Sequence, residues 1–107
     1  MIKVVNVKDN LEGQYIGRAK KGLYHGSPLG SPFVIGRDGT RAQCIAKYRV
    51  WLWREIKKKG PVYYELQRLL QLLNETGSLT LVCWCKPYPC HGDIITSCLK
   101  WMNESKV

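Results

Sequence analysis

Three stretches of the chain carry the hydrophobic pattern of β-strands. Residues 2–7 are rich in β-branched side chains and predict a first strand, and residues 14–18 predict a second, short one. Residues 79–85 form a nearly continuous apolar run, which is typical of a strand covered on both faces by helices. Such a strand belongs in a sheet that is at least partly parallel.

Three further stretches repeat apolar residues at helical spacing. The first follows Thr40, a natural N-cap, and the second begins at Pro61, which suits the first position of a helix, and ends before Gly77. A third helix is predicted to open at residues 90–93. The apolar stripe of the second helix comprises Val62, Leu66, Leu69, Leu70 and Leu73.

Strands that alternate with helices predict an α/β fold, with a sheet flanked by helices in a broadly Rossmann-like arrangement. A chain of 107 residues, 45% of them hydrophobic, suits one domain spanning residues 1–107. No apolar run is long enough to cross a membrane and no signal peptide is evident. We therefore expect a cytoplasmic protein with reduced thiols and no membrane partner.

Positive charge is concentrated in the first part of the chain. The formal net charge is +9, and residues 1–60 hold 13 of the 17 basic side chains but only four of the eight acidic ones. A positively charged face would attract the phosphates of a nucleotide or a nucleic acid. The alternative is a solvated face that only keeps the protein soluble.

A dense cluster of nucleophilic and metal-ligating side chains lies between residues 83 and 93. Alternation along a strand puts Cys83 and Cys85 on the same face, and Cys90 and His91 follow at the start of a helix. A helix N-terminus attracts anions and lowers the pKa of a nearby thiol. Because ligands of α/β proteins bind beyond the carboxyl ends of the strands, we expect a site here.

Three interpretations of this segment are open. The first is a metal site. Because the four zinc-type ligands of the segment differ in spacing from those of common zinc sites, we predict no bound metal and no cofactor. Alternatively, Cys90 is a catalytic nucleophile, and His91 or Asp93 moves its proton. In the third interpretation the cysteines are buried packing residues, and the turn at residues 90–93 binds a ligand or caps the helix.

The loop at residues 26–32, Gly-Ser-Pro-Leu-Gly-Ser-Pro, is the second candidate for ligand binding. It matches neither the Walker nor the dinucleotide fingerprint, yet its glycines permit close backbone approach and its hydroxyls can cradle phosphate. Arg18 before it and Arg37 after it would neutralise that phosphate, whereas the alternative is a rigid surface turn. The predicted ligand contacts are Arg18, Ser27, Gly30, Ser31 and Gly92, with Trp84 or Tyr88 near a base.

Together these segments resemble the domain-of-unknown-function 4326 family, small proteins of bacteria, archaea and tailed phages. The resemblance covers nearly the whole chain and rests on Ile-Gly-Arg at 16–18, the Gly-Ser-Pro loop, Thr-Arg at 40–41, Cys-Trp-Cys-Lys-Pro at 83–87 and Pro-Cys-His-Gly-Asp at 89–93. It implies that the loop and the Cys-His-Gly-Asp turn meet at one end of the sheet. Here residues 19–25 precede the loop as an insertion, and Ser31 stands where the family usually has asparagine.

These observations lead to one expected function and two alternatives. We expect the protein to bind an anionic, nucleotide-derived small molecule in a pocket formed by the loop and the turn. The first alternative is an enzyme that performs glycosyl or phosphoryl chemistry on a nucleotide or nucleoside in the same pocket. The second is a nucleic-acid-binding module that uses basic side chains, namely Lys20, Lys21, Arg54, Lys57, Lys58 and Lys59.

Overall fold

The computed structural model describes residues 1–22 and 24–104, and it confirms the predicted α/β fold. In chain order the elements are strand β1 (Ile2–Asn6), a 3₁₀ turn (Val7–Asp9), strand β2 (Gln14–Tyr15), helix α1 (Arg41–Lys58), helix α2 (Pro61–Thr76), strand β3 (Leu79–Cys83) and helix α3 (His91–Glu104). The strands form a parallel sheet in the order β1-β3-β2, with β3 in the centre. The carboxyl ends of all three strands therefore lie at the same edge of the sheet.

Helices α1 and α2 begin and end where the sequence predicts. The Thr40 hydroxyl accepts the N–H of Gln43 at 3.2 Å, and the Gln43 side-chain oxygen accepts the N–H of Thr40 at 2.8 Å. This reciprocal pair satisfies two backbone donors at the start of α1. Helix α2 has Pro61 at its first position and stops at Gly77, whose φ of +80° lies in the left-handed region that favours glycine.

The predicted apolar stripes form the core between the helices and the sheet. All five stripe residues of α2 are buried, and Tyr48 and Leu52 of α1 are buried with them. Four of the five residues of β3 are buried as well, so the prediction of a strand covered on both faces is confirmed. Among the described residues, no helix is both long enough and apolar enough to span a bilayer.

Strand β3 ends two residues earlier than predicted, at Cys83. The reason is the side chain of Asn6, at the end of the neighbouring strand β1. Its amide donates to the carbonyl of Trp84 at 3.1 Å and to the carbonyl of Lys86 at 2.6 Å. These two bonds stabilise a turn that leads the chain away from the sheet and toward α3.

Strand β2 is also shorter than predicted, with only Gln14 and Tyr15 in the ladder. The N–H of Ile16 still donates to the carbonyl of Val82 at 3.0 Å, so the chain follows β3 for one residue more. Beyond that point the Tyr15 hydroxyl donates to the carbonyl of Arg18 at 2.7 Å. This bond closes a tight turn at the carboxyl end of the sheet.

Candidate functional site

A pocket of about 320 Å³ opens at the carboxyl end of the sheet. Its walls come from the turn after β2, the segment before α1, the first turns of α1, and the connection between β3 and α3. Five of the ten residues predicted to form the site line this pocket: Arg18, Ser31, Trp84, Cys90 and His91. The loop and the Cys-His-Gly-Asp turn thus meet in one place, as the family resemblance implies.

The Gly-Ser-Pro loop supports the pocket more than it lines it. The N–H of Ser27 donates to the carbonyl of Gly17 at 2.9 Å, and the Ser27 hydroxyl accepts the N–H of Leu29 at 3.0 Å. A Cβ on Gly30 would lie 3.0 Å from the oxygen of Gly17. Ser27 and Gly30 therefore hold the loop against the turn after β2, and Ser31 is the predicted loop contact that lines the pocket.

Tyr48 joins this loop to helix α1. Its hydroxyl is buried and donates to the carbonyl of Leu29 at 2.6 Å. Burial raises the pKa of the phenol far above its ordinary range, so the hydroxyl stays a donor. The ring packs edge-on against His91, with centroids 5.1 Å apart, and thereby connects two walls of the pocket.

Two arginines give the pocket a positive charge. Arg18 follows β2 and is exposed, whereas Arg41 is the first residue of α1 and is half-buried. Nη1 of Arg41 donates to the carbonyl of Pro89 at 3.1 Å, and its guanidinium carbon lies 5.1 Å from the centre of the Tyr88 ring. Neither guanidinium pairs with a carboxylate of the described residues, so both charges remain available to an anion.

Three thiols lie together beside these arginines. The Cys83 and Cys90 sulfurs are 3.5 Å apart, and the N–H of Gly92 donates to the Cys90 sulfur at 3.3 Å. Cys83 and Cys90 are buried, although Cys90 also borders the pocket, whereas Cys85 lines the pocket and is half-buried. Cys85 is therefore the thiol that a ligand in the pocket meets most easily.

The three thiols differ in acidity. Interaction with the Cys90 thiol lowers the pKa of Cys85 to about 6, although burial opposes the shift and Arg41 adds to it. The same interaction lowers the pKa of Cys83, and both neighbours together with burial raise the pKa of Cys90. The more acidic accessible thiol is thus Cys85. The sequence pattern instead favours Cys90, because Cys90 precedes a helix.

His91 is held as a neutral hydrogen-bond donor. Burial lowers the pKa of its imidazole, and Nε2 lies 2.7 Å from the carbonyl oxygen of Ile16. Because a carbonyl only accepts, Nε2 carries the proton of the neutral ring and Nδ1 is left as an acceptor.

His91 and Cys90 are adjacent, but they are engaged with different partners. The imidazole bonds the backbone of Ile16, whereas the sulfur lies against Cys83 and the N–H of Gly92. Within residues 1–22 and 24–104, no three His, Cys, Asp or Glu side chains are arranged to hold a metal ion. The expected absence of metal stays a prediction, and elemental analysis of the purified protein would test it.

Asp93 caps helix α3 and does not line the pocket. Its Oδ2 accepts the N–H of Cys90 at 3.1 Å, and its Oδ1 accepts the ammonium of Lys86 at 2.7 Å. Burial acts to raise its pKa, but these two bonds outweigh it and leave the pKa of Asp93 below its usual value. The N-terminus of α3 is therefore occupied by the chain's own carboxylate, which reduces its capacity to hold an external anion.

Three other predicted contacts also lie outside the pocket. Gly92 packs against the sheet, where an added Cβ would lie 2.8 Å from Cγ1 of Val4. Tyr88 is exposed and carries the guanidinium of Arg41 above its ring. Arg37, predicted to neutralise a phosphate, instead pairs with the carboxylate of the next residue at 2.8 Å.

Trp84 forms the aromatic side of the pocket. Its indole N–H donates to the hydroxyl of Tyr15 at 2.8 Å, and the ammonium of Lys20 lies 5.3 Å from the ring centre. The same Tyr15 hydroxyl donates to the carbonyl of Arg18. One phenol therefore fixes both the indole ring and the backbone of the arginine beside it.

Three further residues line the pocket although the sequence pattern assigns none of them a ligand contact: Phe33, Arg41, which belongs to the Thr-Arg motif at 40–41, and Tyr48. For Arg41 a signal exists, since it directly follows a helix cap in a fold whose sites gather at strand ends. For Tyr48 the signal is a phenol in an otherwise apolar stripe, because a buried hydroxyl requires a partner. Phe33 carries no comparable signal.

Comparison with known proteins gives a family and no close relative. The model of the family described as Domain of unknown function (DUF4326) matches residues 3–101. No curated protein and no solved structure matches the chain.

Proposed function

The chain belongs to the family described as Domain of unknown function (DUF4326), and on that premise we propose a function from the pocket itself. The protein binds a small anionic molecule that carries a planar ring, such as a mononucleotide. The observation that supports this most directly is the presence of Arg18, Arg41 and Trp84 in one pocket, with both arginines free of carboxylate partners.

The size of the pocket favours a mononucleotide over a dinucleotide. Ligand sites of proteins typically measure about 300–1,000 Å³, and a volume of about 320 Å³ lies at the lower end of this range. The walls combine apolar and aromatic side chains with few polar groups, as is usual for sites that bind organic ligands.

The arginines account for the anionic part of the ligand. A guanidinium presents paired N–H donors that match the oxygens of a phosphate. Arg41 is held in place by the carbonyl of Pro89 and the ring of Tyr88, so binding would cost it little conformational entropy. Because Asp93 occupies the N-terminus of α3, these side chains carry the phosphate rather than the helix end.

Trp84 accounts for the planar part. Trp84 is 39% exposed, and the bond from its indole N–H to Tyr15 restricts rotation of the ring, which favours stacking of a base. His91 lines the same pocket, and its Nδ1 is an acceptor that a ligand could use. A base with an exocyclic amine or a ribose hydroxyl would supply the matching donor.

A thermal-shift titration with mono-, di- and cyclic nucleotides tests the proposal, because a ligand that binds the native state raises the melting temperature. Arg41→Lys should weaken the binding free energy obtained from the titration by about 1.5–3 kcal/mol, since lysine cannot form the paired hydrogen bonds of a guanidinium. The control is Arg49→Lys, on the same helix but outside the pocket, which should respond like the parent. A parent protein that no nucleotide stabilises would contradict the proposal.

A second candidate, catalysis on a nucleotide or nucleoside, is favoured by Cys85. This thiol lines the pocket beside Arg41, and interaction with the Cys90 thiol lowers its pKa, which favours the thiolate form. A thiolate is the nucleophilic form of cysteine, and a nucleophile next to the ligand suits the covalent route of glycosyl or phosphoryl transfer. Cys90 and Asp93 are less suited, because the first is buried and the second pairs with Lys86.

The reactivity of Cys85 can be measured by alkylation with iodoacetamide at a series of pH values, followed by mass spectrometry. The rate at Cys85 should rise with a midpoint near pH 6. Cys98 is an internal control, since it is also half-buried but burial raises its pKa to about 11. Equal rates at the two residues would remove the ground for this second candidate.

A further inference from the structure

A second concavity lies along the C-terminal half of α1, where that helix packs beside α3. It is an open groove of about 760 Å³ and shares no lining residue with the pocket. Trp53 and Trp101 border it with their rings edge to face, 5.2 Å apart between centroids. They are 44% and 50% exposed, so a large part of each aromatic side chain still faces solvent beside that contact.

The same groove is strongly basic. Three cations, Arg49, Arg54 and Lys57, line it, and no carboxylate does. The ammonium of Lys57 lies 5.8 Å from the centre of the Trp53 ring. Helix α1 as a whole carries six basic residues and one acidic residue, Glu55, which pairs with Lys58 at 2.8 Å. The positive potential of the groove is therefore uncompensated.

We propose that this groove binds single-stranded nucleic acid. Exposed aromatic rings offer stacking surfaces to unpaired bases, and flanking cations neutralise the phosphates that follow each base. In a duplex the bases stack on one another and present only their edges, so a duplex cannot use Trp53 and Trp101 in this way. The combination of ring faces and cations thus favours a single strand.

Charge argues against a second copy of the chain as the occupant. A twofold dimer through this face would bring two identical grooves together, and with them two sets of the same cations. The required partner is therefore anionic. An acidic polypeptide would also be anionic, but it lacks the regularly spaced rings that would use both tryptophans, and the test below separates the two.

Of the basic residues predicted from sequence to bind nucleic acid, Arg54 and Lys57 line this groove. Lys58 follows them on α1. Lys20 and Lys21 lie in the loop after β2, and Lys20 sits over Trp84 at the rim of the pocket. The two groups of lysines can therefore be tested separately.

The probe is a fluorescently labelled oligothymidylate of about ten nucleotides, a length within the usual site sizes, and binding is followed by fluorescence anisotropy. The double variant Arg54→Gln/Lys57→Gln should lower affinity at least about tenfold at low salt. Its plot of log affinity against log salt should lose about 0.7 in slope for each phosphate contact removed. The charge-matched control Lys20→Gln/Lys21→Gln should change affinity less than about threefold.

Trp101→Leu keeps an apolar side chain but removes the ring, and it should lower affinity at least about fivefold. A melting curve checks that the variant, which loses its contact with Trp53, stays folded. A labelled duplex of the same length should bind more weakly than the single strand. Equal losses in the two charge variants, tighter binding of the duplex, or displacement of the oligonucleotide by polyglutamate at matched charge would each overturn the proposal. Arg54→Gln/Lys57→Gln lies outside the nucleotide pocket and should leave the thermal response to a mononucleotide unchanged, so failure here is distinct from failure of the nucleotide pocket.

Discussion

The Gly-Ser-Pro loop and the connection between β3 and α3 meet at the same end of the sheet, but they use their polar groups differently. In the loop, the N–H and the hydroxyl of Ser27 are both hydrogen-bonded to backbone groups, and Leu29 is fully buried. In the connection, Trp84 and Cys85 turn part of their side chains toward the pocket. The loop therefore supports the wall of the pocket, and the connection supplies side chains that face the pocket.

This contrast shows that glycine, serine and proline in a loop do not by themselves indicate ligand contact. Such residues also serve where a chain must fold back tightly on its neighbours, as Ser27 and Gly30 do against Gly17. Substitutions in the loop should therefore reduce stability, whereas substitutions among the pocket-facing side chains should change binding or reactivity.

The largest effect is expected from Leu29→Ala in the loop. Leu29 is fully buried, and removal of such a side chain leaves a cavity that typically lowers the free energy of unfolding by about 2–5 kcal/mol. Urea denaturation measures this loss. Leu11→Ala is the control, because Leu11 is 49% exposed and its truncation should cost no more than about 0.5 kcal/mol. Similar losses at both positions would contradict a structural role for the loop.

Tyr48→Phe should have an intermediate effect on stability. The substitution removes the hydroxyl and leaves the buried carbonyl of Leu29 without its donor, which should cost about 1–3 kcal/mol of unfolding free energy. Tyr64→Phe, at a phenol that is 66% exposed, is the matched control and should be nearly neutral. If both variants unfold like the parent, the loop is not held to α1 through this bond.

The smallest effect on stability is expected from Asp93→Asn. This variant tests whether Asp93 contacts the ligand or only stabilises the start of helix α3. Asparagine can still accept the N–H of Cys90, so only the charge beside Lys86 and the helix dipole is lost, which should cost about 0.3–1 kcal/mol at pH 7. Because the pKa of Asp93 is lowered in the folded state, its contribution exists above about pH 4 and disappears as pH falls through the folded pKa. The difference between variant and parent in denaturation curves should therefore shrink in acid.

Asp93→Asn should also keep the thermal response to a nucleotide, since the carboxylate bonds Lys86 and the N–H of Cys90 rather than facing the pocket. Exposed Glu12→Gln serves as the control for removal of a negative charge. A folded Asp93→Asn protein that no longer responds to any nucleotide would instead restore this carboxylate as a ligand contact, which the sequence pattern suggests.

The helices were predictable because their signals are local. The cap at Thr40, the first-turn proline at Pro61 and the terminal Gly77 each act within one turn of the residue concerned. The lengths of β2 and β3 were less accessible, because they depend on a side chain of another strand, Asn6, and on the hydroxyl of Tyr15.

Which residues line the pocket depends on tertiary contacts that cannot be read from the sequence. Ser27 and Ser31 are the same residue type in one loop, and burial of Leu29 between them decides which of the two lines the pocket. Likewise, Arg37 and Arg41 flank the same turn, but the carboxylate beside Arg37 pairs with it and leaves Arg41 available. Strand order was equally hidden, since β3 lies between two strands from the other end of the chain.

The pairing of β1 with β3 has a consequence for how the protein folds. Residues 2 and 79 are partners in this ladder, so the chain must close a loop of nearly three quarters of its length before the sheet exists. Helices α1 and α2 are neighbours in sequence and can pack without that closure. Topology of this kind slows folding and favours early formation of the helical pair. The pocket lies between the segments that follow β2 and β3, so we expect it to form only once these two strands, distant in the chain, have paired.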